Sequence, residues 1–220
     1  SPESRKVSKL GDSRSAEEDE NSEVCCICLD VMITGVQRLD CGHKFHKDCI
    51  KELRDKGVKK VCPLCRFKLP DSIEKMFEDA TQLYAQIERN VRRHDGSWGG
   101  LNKNQIKNLQ KSLDLITRCA NDGYAPAQYN LGFLYYQGIV LEQSIEQSIF
   151  WYKKSEEQDF GEACFNLGRM YNVGCGVEQD HVMSLKLYQK SAQAGFLLAY
   201  SILGLMYLNG IGTEINDDMA

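Results

Sequence analysis

The sequence carries little net charge and no apolar leader. Its 27 Lys and Arg residues against 31 Asp and Glu residues leave a formal net charge of −4, so nucleic acid is not an expected partner. Without a segment of the secretory type, the ten cysteines are not expected to form extracellular disulfides. We predict an intracellular, reducing compartment, cytoplasmic or nuclear. Because the sequence begins with serine, targeting stays open.

Two further absences concern the ends of the chain. Residues 1–23 contain only two aliphatic side chains larger than Ala, Val7 and Leu10, and end in an acidic run at 17–20, so we predict a disordered acidic tail. Residues 191–213 carry no charged side chain, which by length could suggest a membrane span. They contain Gly195, Gly204 and Asn209 and repeat upstream segments of the chain, so no membrane partner is predicted.

Metal-binding side chains are plentiful between residues 25 and 65. Eight of them form four pairs with short internal spacings: Cys25, Cys28, Cys41, His43, His46, Cys49, Cys62 and Cys65. Structural zinc takes four Cys or His ligands in a tetrahedron, and each pair can supply half of one. The pattern therefore predicts two closed zinc sites with no position for a catalytic water. Spacing alone leaves open whether the sites are sequential or interleaved.

The order of these ligands resembles the RING finger variant with two central histidines. The segments CGHKFH at 41–46 and CPLCR at 62–66 are similar to RING sequences, and the resemblance covers about residues 24–70. It implies a small zinc-stabilised α+β domain in which the two sites interleave as a cross-brace. One ion would then be held by Cys25, Cys28, His46 and Cys49, and the second by Cys41, His43, Cys62 and Cys65.

Zinc also compensates for a small core, because about 45 residues lie near the size at which a domain needs metals or disulfides. Leu39, Phe45, Ile50 and Leu53 are the predicted core. Cys26 is out of register with the ligands and is interpreted as a free, partly buried thiol. Disulfides, a histone-tail finger and a nucleic-acid finger fit this ligand order less well.

The second half of the chain repeats itself at a spacing of 36 residues, from Ala127 to Ala163 to Ala199. The units are predicted at 123–158, 159–194 and 195–220, the last one truncated. Each should be a helical hairpin, with second helices at 144–157 and 180–194, and the hairpins should stack into an all-α solenoid. Gly138, Gly174 and Gly210 stand where each first helix should end in the left-handed conformation.

The repeated phrases resemble the Sel-1-like repeat, a relative of the tetratricopeptide repeat. The resemblance lies in Ala-x-Tyr-x-Leu-Gly from Ala127, Tyr-x-x-Gly-x-Gly from Tyr171 and Trp-Tyr-x-Lys from Trp151. Val140 replaces the second glycine of the first copy, so that loop should follow another path. Residues 71–122 are predicted as a helical linker and degenerate capping repeat, with helices at 73–93 and 103–121. Packing of the first helix on the solenoid is preferred, with the zinc domain or a dimer as alternatives.

The RING resemblance implies a ubiquitin-protein ligase, which positions a charged ubiquitin-conjugating enzyme for transfer to a substrate lysine without a covalent intermediate. By position, a docking groove would contain Ile27, Leu53, Pro63 and Leu64. Arg66 would bridge the conjugating enzyme and ubiquitin, for which its planar fork of donors is suited.

The repeats would bind the protein substrate on the extended surface of the solenoid. Two other classes stay open. The chain could be a non-catalytic zinc-finger adaptor, for which Leu53 leaves room because many active RINGs carry tryptophan there. The zinc domain could instead bind a modified peptide or nucleic acid, against which ligand order and charge both count.

Overall fold

A computed structural model describes residues 24–39, 41–55, 61–66, 69, 71–94 and 96–212. The chain divides after residue 70 into two compact units, and each is described by itself. The predicted acidic tail at 1–23 and the final residues 213–220 lie outside the described residues.

The first unit contains short elements around a small core. Strands β1 (Val36–Arg38) and β2 (Lys44–His46) pair antiparallel with Gln37 opposite Phe45, and helix α1 (Lys47–Asp55) follows β2 directly. Of the four predicted core residues, three are buried: Leu39, Phe45 and Ile50. The fourth, Leu53, is half-buried and packs against this cluster. Because the strands are three residues long, local hydrogen bonding contributes little to holding this unit together.

The second unit is all-α in the part that the structure describes. Its helices are α2 (Ile73–His94), α3 (Lys103–Asn121), α4 (Ala125–Gln137), α5 (Ile145–Glu156), α6 (Gly161–Val173), α7 (His181–Gln193) and α8 (Leu197–Leu208), with a short 3-10 turn at Trp98–Gly100. The predicted second helices correspond to α5 and α7 with one capping residue at each end. Ser144 and Asp180 cap them by accepting the backbone N–H of Gln147 and Met183.

A side-chain hydrogen bond fixes the register of each hairpin. The Ser155 hydroxyl donates to the Ala125 carbonyl at 2.8 Å, and 36 residues later Ser191 donates to Gly161 at 2.7 Å. In the preceding helix pair, Ser112 donates to the Ala80 carbonyl at 2.7 Å, in the way that Ser184 donates to Gly168 at 2.8 Å.

The shared register makes α2 and α3 a hairpin of the same kind. Its first helix, Ile73–His94, has 22 residues where α4 has 13. α2 packs with α3 and α4 around one buried cluster that includes Ala80, Ile116 and Leu131. The preferred packing of the predicted helix at 73–93 on the solenoid is therefore what the structure shows.

Glycine allows the two helices of a hairpin to approach closely. A Cβ at Gly132 would lie 2.8 Å from Tyr152 Cδ1, and one at Gly168 would lie 3.2 Å from Tyr188 Cδ1. In the α2–α3 hairpin the corresponding pair is Ala80 and Ile116, both buried. A small first-helix residue beside a tyrosine is thus replaced by a slightly larger one beside a shorter partner.

The first helices of the repeats end as predicted. Gly138, Gly174 and Gly210 have φ values of 64°, 72° and 63°, so the left-handed conformation is confirmed. Gly176 is also left-handed at φ 70°, whereas Val140, its counterpart one repeat earlier, is not and packs half-buried against the first core cluster. The loop after α4 therefore follows its own path.

The last helix presents many apolar side chains to its surroundings. In α8, Leu197, Leu198 and Tyr200 are exposed, while Ala199 and Leu203 face the core. None of the helices in the described ranges is both long enough and apolar enough to cross a membrane.

Candidate metal centre and docking surface

The structure gathers the eight predicted ligands into two groups of four. In each group all the candidate ligand atoms lie within 4.8 Å of one another. The first group is Cys25, Cys28, His46 and Cys49, and the second is Cys41, His43, Cys62 and Cys65. The groups interleave along the chain, which is the arrangement that the RING resemblance implies and which spacing alone left open.

Two matching turns present the paired cysteines. The Leu29 N–H donates to the Cys25 carbonyl at 2.7 Å, and the Arg66 N–H donates to the Cys62 carbonyl at 2.9 Å. Leu29 and Arg66, each directly after the second cysteine of its pair, are left-handed with φ of 67° and 60°. Only a few non-glycine residues adopt this conformation, so its recurrence at both sites shows that the turns have the same backbone geometry.

The hairpin and α1 supply the other four candidates. Cys41 and His43 lie in the connection between β1 and β2, where Gly42 is left-handed at φ 88°. His46 is the last residue of β2, and Cys49 lies in the first turn of α1. The short sheet therefore carries His43 toward one group and His46 toward the other.

The distances fit zinc. In the first group His46 Nδ1 lies 3.2 Å from Cys28 Sγ and 4.0 Å from Cys49 Sγ. In the second, His43 Nδ1 lies 3.4 Å from Cys41 Sγ and 3.7 Å from Cys62 Sγ. A tetrahedral ion with bonds of about 2.3 Å to sulfur and about 2.0–2.1 Å to nitrogen separates these atoms by roughly 3.6 Å.

The pKa values of two thiols in the first group are shifted in opposite directions. Burial raises the pKa of Cys25, but hydrogen bonds from the backbone of His46, Cys28 and Ile27 outweigh it and bring the pKa down to about 6. Burial, followed by the interactions with Cys28 and Cys25, raises the pKa of Cys49 to about 12. Neighbouring thiolates cannot all be charged without a cation among them, and a divalent ion resolves this conflict.

The predicted docking residues occupy two environments. Ile27 and Leu53 are both half-buried and pack against the core cluster of the first unit. Pro63, Leu64 and Arg66 are exposed in the second cysteine turn, Leu64 with 56% of its surface accessible.

The exposure of three side chains of the first unit was not predicted from the sequence. Leu29 and Ile33 are exposed by 76% and 83% and lie outside the predicted docking set. The prediction of a partly buried Cys26 was wrong, because that side chain is exposed. The sequence gives no signal that tells whether a small side chain between two ligands faces the core or the solvent.

Comparison with known proteins assigns a family to each of two regions of the chain. The family model of the Ring finger domain matches residues 23–66, and the Sel1 repeat model matches 125–160, 161–196 and 197–220. E3 ubiquitin-protein ligase MBR1 of Arabidopsis thaliana is 44% identical over 54 residues, which are 24% of this chain and 7% of that protein. E3 ubiquitin-protein ligase arkadia of Xenopus tropicalis is 38% identical over 64 residues, 28% of this chain and 6% of that protein.

A solved structure also matches this chain. It is c5321, a protective antigen present in uropathogenic Escherichia coli strains and displaying an SLR fold. The identity is 30%, the TM-score is 0.51, and the match covers 68% of this chain and 31% of that chain. The similarity to the two ligases spans less than a tenth of their lengths and concerns the RING region alone.

These findings define a zinc-binding domain followed by a helical repeat array. Residues 23–66 are a RING finger domain of the two-histidine type, with two Cys/His clusters that can bind two zinc ions. Residues 125–220 are Sel1 repeats, so the chain joins a RING finger to a Sel1 solenoid.

Proposed function

We propose that this protein is a RING-type ubiquitin-protein ligase, acting in the cytoplasm or nucleus. The observation that carries the proposal is the match of residues 23–66 to the Ring finger domain, shared with relatives that are named E3 ubiquitin-protein ligases. The RING would hold a ubiquitin-conjugating enzyme charged with ubiquitin so that the thioester meets a substrate lysine. Such positioning alone can supply a large part of a rate enhancement.

Zinc has a structural role in this proposal. Cys25, Cys28, His46 and Cys49 would hold one ion, and Cys41, His43, Cys62 and Cys65 the other. Four protein ligands complete a tetrahedron, so neither ion keeps an open position for substrate or water. What the ions supply is the fixed geometry of the two cysteine turns, which carry Ile27 on one side and Leu64 on the other.

The docking surface would combine half-buried and exposed apolar groups. Leu64 and Pro63 are adjacent and exposed, and apolar side chains that are exposed together can form a binding surface. Ile27 and Leu53 would form the floor beside them. Leu53 is smaller than the tryptophan of many active RINGs, so we expect docking to be weak and to depend strongly on Ile27.

Arg66 would link the conjugating enzyme to ubiquitin. It is exposed and directly follows the second cysteine turn, whose backbone geometry the Cys62 carbonyl and the Arg66 N–H maintain. A guanidinium presents five donors in a rigid plane, which suits simultaneous contact with two partners. The Sel1 repeats would bind the protein substrate, since stacked hairpins present an extended surface.

The decisive experiment is ubiquitin discharge from a panel of charged conjugating enzymes. We expect Ile27→Ala and Arg66→Ala to slow discharge by at least about tenfold, as the loss of a central contact does, with two zinc ions still bound. Ile33→Ala and Arg38→Ala are matched controls, being exposed residues of the same unit outside the predicted docking set. Cys28→Ala should abolish discharge.

A silent panel with two bound zinc ions would contradict the ligase and favour the adaptor. Equal loss in the Ile33→Ala control would contradict the docking assignment alone.

A further inference from the structure

A cavity of about 240 Å³ opens between α2 and α4 in the repeat unit. Its lining places two aromatic rings, an acid and an amide over an aliphatic floor: Tyr84, Phe133, Glu88, Asn130, Ile116 and Leu134. The volume suits one large side chain, and Thr81 and Gln137 complete the lining, so the cavity combines apolar walls with polar groups that can orient a ligand.

The next repeat shows what the same place contains when the chain fills it. By the 36-residue period, Tyr152 corresponds to Ile116 and Asn166 to Asn130. There the Asn166 amide donates to the Tyr152 hydroxyl at 3.4 Å. The cleft between α4 and α6 is thereby occupied by a phenol ring and its polar partner.

A cation completes the filled cleft. The register set by Ser112 and Ser184 makes Tyr136 the counterpart of Tyr84. The guanidinium carbon of Arg169 lies 5.3 Å from the centre of the Tyr136 ring, a cation–π contact. Arg169 corresponds by period to Phe133, so the first cleft has no cation of its own at this position.

The first cleft lacks both groups that fill the second. Ile116 has no hydroxyl and is shorter than tyrosine, which leaves the cavity open above it. The half-buried Asn130 side chain makes no hydrogen bond to any other residue that the structure describes. The Tyr84 ring packs against Trp98, with the ring centroids 5.7 Å apart and the planes tilted by 31°, and no described Lys or Arg lies over the Tyr84 ring.

The charge at the cavity favours a cation. Glu88 lines it, and this carboxylate adds to burial in raising the pKa of Tyr84 to about 12. Arg92 pairs with Glu88 at 2.8 Å, but its side chain is 75% exposed. An exposed pair contributes about 0–1 kcal/mol, so an incoming cation can exchange for Arg92.

We propose that this cavity binds an arginine side chain presented by a partner protein segment. The guanidinium would lie over Tyr84 and pair with Glu88, while the Asn130 amide hydrogen-bonds the neighbouring peptide backbone. The proposal rests on the proposed role of the repeats in substrate binding and names the feature that they would recognise. Arginine is favoured over lysine because Arg169 performs this contact one repeat later.

The test titrates the full chain with a capped Ala-Ala-Arg-Ala-Ala peptide, followed by NMR shifts of α2 and α4 amides. A citrulline peptide of the same shape but without charge is the comparison. We expect the arginine peptide to bind about tenfold more tightly, as a partly desolvated cation–π and ion-pair contact implies. Glu88→Gln should remove that preference, and Glu78→Gln, an exposed acid of the same helix outside the cavity, should not.

Two further variants sharpen the test. Arg92→Ala should tighten arginine binding severalfold by removing the competing guanidinium. The double substitution Ala80→Gly with Ile116→Tyr copies the Gly132–Tyr152 pair of the next repeat, so it should fill the cavity and abolish binding with helix content unchanged.

Equal affinity for the two peptides, no binding of the arginine peptide, or full binding by Glu88→Gln would overturn the inference. Substrate-free ubiquitin discharge, measured on the same variants, should stay at the wild-type level. Peptide binding without any discharge would overturn the ligase proposal and leave the cavity assignment standing, whereas discharge without binding would do the reverse.

Discussion

Each of the two units of this protein is stabilised by a different kind of interaction. The described core of the RING unit has six buried residues, of which two, Cys25 and Cys62, belong to the metal clusters. In the described part of the repeat unit, three buried clusters are built from aliphatic and aromatic side chains of neighbouring helices. A small unit of this kind depends on its ions, whereas an array of hairpins depends on contacts between neighbours.

The backbone shows the same contrast. In the repeat unit, left-handed conformations fall mostly on glycines such as Gly138 and Gly174, where they cost little, and also on Asp159 at φ 58°. In the RING unit they fall on Gly35 and Gly42 but also on Leu29 and Arg66, where the side chain adds a cost of about 1–2 kcal/mol each. Metal coordination on both sides of these turns can override the local preference, while packing between helices works with it.

Removal of zinc should have the largest effect, and it should affect the RING unit alone. Chelation, or Cys28→Ala, should unfold the RING unit, because structural zinc contributes about 10–16 kcal/mol of apparent binding free energy in model fingers. The helices of the repeat unit should be retained, since none of the candidate ligands lies beyond residue 65. Zinc content by mass spectrometry and the dispersion of RING amide signals in NMR measure the loss.

Cys26→Ala is the matched control, because Cys26 is the exposed cysteine next to a cluster ligand. It should retain two zinc ions and the RING signals. Loss of the repeat helices on chelation would show that the second unit depends on the first.

Sequence spacing predicts those parts of the molecule in which one residue determines local geometry. Helix 103–121 coincides with α3, and Ser144 and Asp180 cap the helices that they precede. Metal-binding pairs are equally visible, because zinc demands cysteine and histidine. The grouping of the clusters is not visible, since four pairs can combine in more than one way at equal spacing.

The hairpin role of α2 was hidden for a different reason. Helices α2 and α3 are longer than α6 and α7, so Ser112 follows Ala80 by 32 residues where Ser184 follows Gly168 by 16, and the 36-residue period fails there. The glycine–tyrosine pair has also become Ala80 with Ile116, which removes the repeated residues although both side chains are still buried between the helices. Tertiary complementarity of this kind leaves no trace in the sequence period.

Gly132→Ala should give the next largest effect, confined to the repeat unit. Its Cβ would lie 2.8 Å from Tyr152 Cδ1 and 3.1 Å from the Ser148 carbonyl oxygen, so side chain and backbone must both shift. Overpacking of this kind costs about 1–3 kcal/mol, partly offset by the better helix propensity of alanine. Urea unfolding followed by far-UV circular dichroism measures the change.

Gly168→Ala is the matched control, since its nearest contact is 3.2 Å, from Tyr188, and it should cost less. Adding Tyr152→Ile to Gly132→Ala recreates the Ala80–Ile116 pair and should recover part of the loss. If Gly168→Ala were the more costly change, close approach would not be the reason for these glycines.

The smallest expected effect concerns Lys190, which forms an ionic contact between two hairpins. Its ammonium donates to the Glu156 carbonyl at 2.8 Å and pairs with Asp159 at 2.9 Å, which joins α7 to the end of α5. Burial lowers the pKa of Lys190, but hydrogen bonds to Glu156 and Asp159 outweigh it and raise the pKa above its ordinary 10.5. Because the side chain is about one-third exposed, Lys190→Met should lower the free energy of unfolding by only about 1 kcal/mol.

The pH dependence of that difference distinguishes charge from packing. A pKa raised in the folded state means that the stabilisation is fully present below the unfolded pKa of 10.5 and is lost as pH rises through the folded value. The stability difference between wild type and Lys190→Met should therefore be constant from neutral pH to about pH 9 and shrink at higher pH. Lys186→Met, an exposed lysine of the same helix, should show no such difference. A difference that persists undiminished in strong alkali would assign the effect to the aliphatic stem of Lys190, and the contact between hairpins would then be apolar, like the rest of the array.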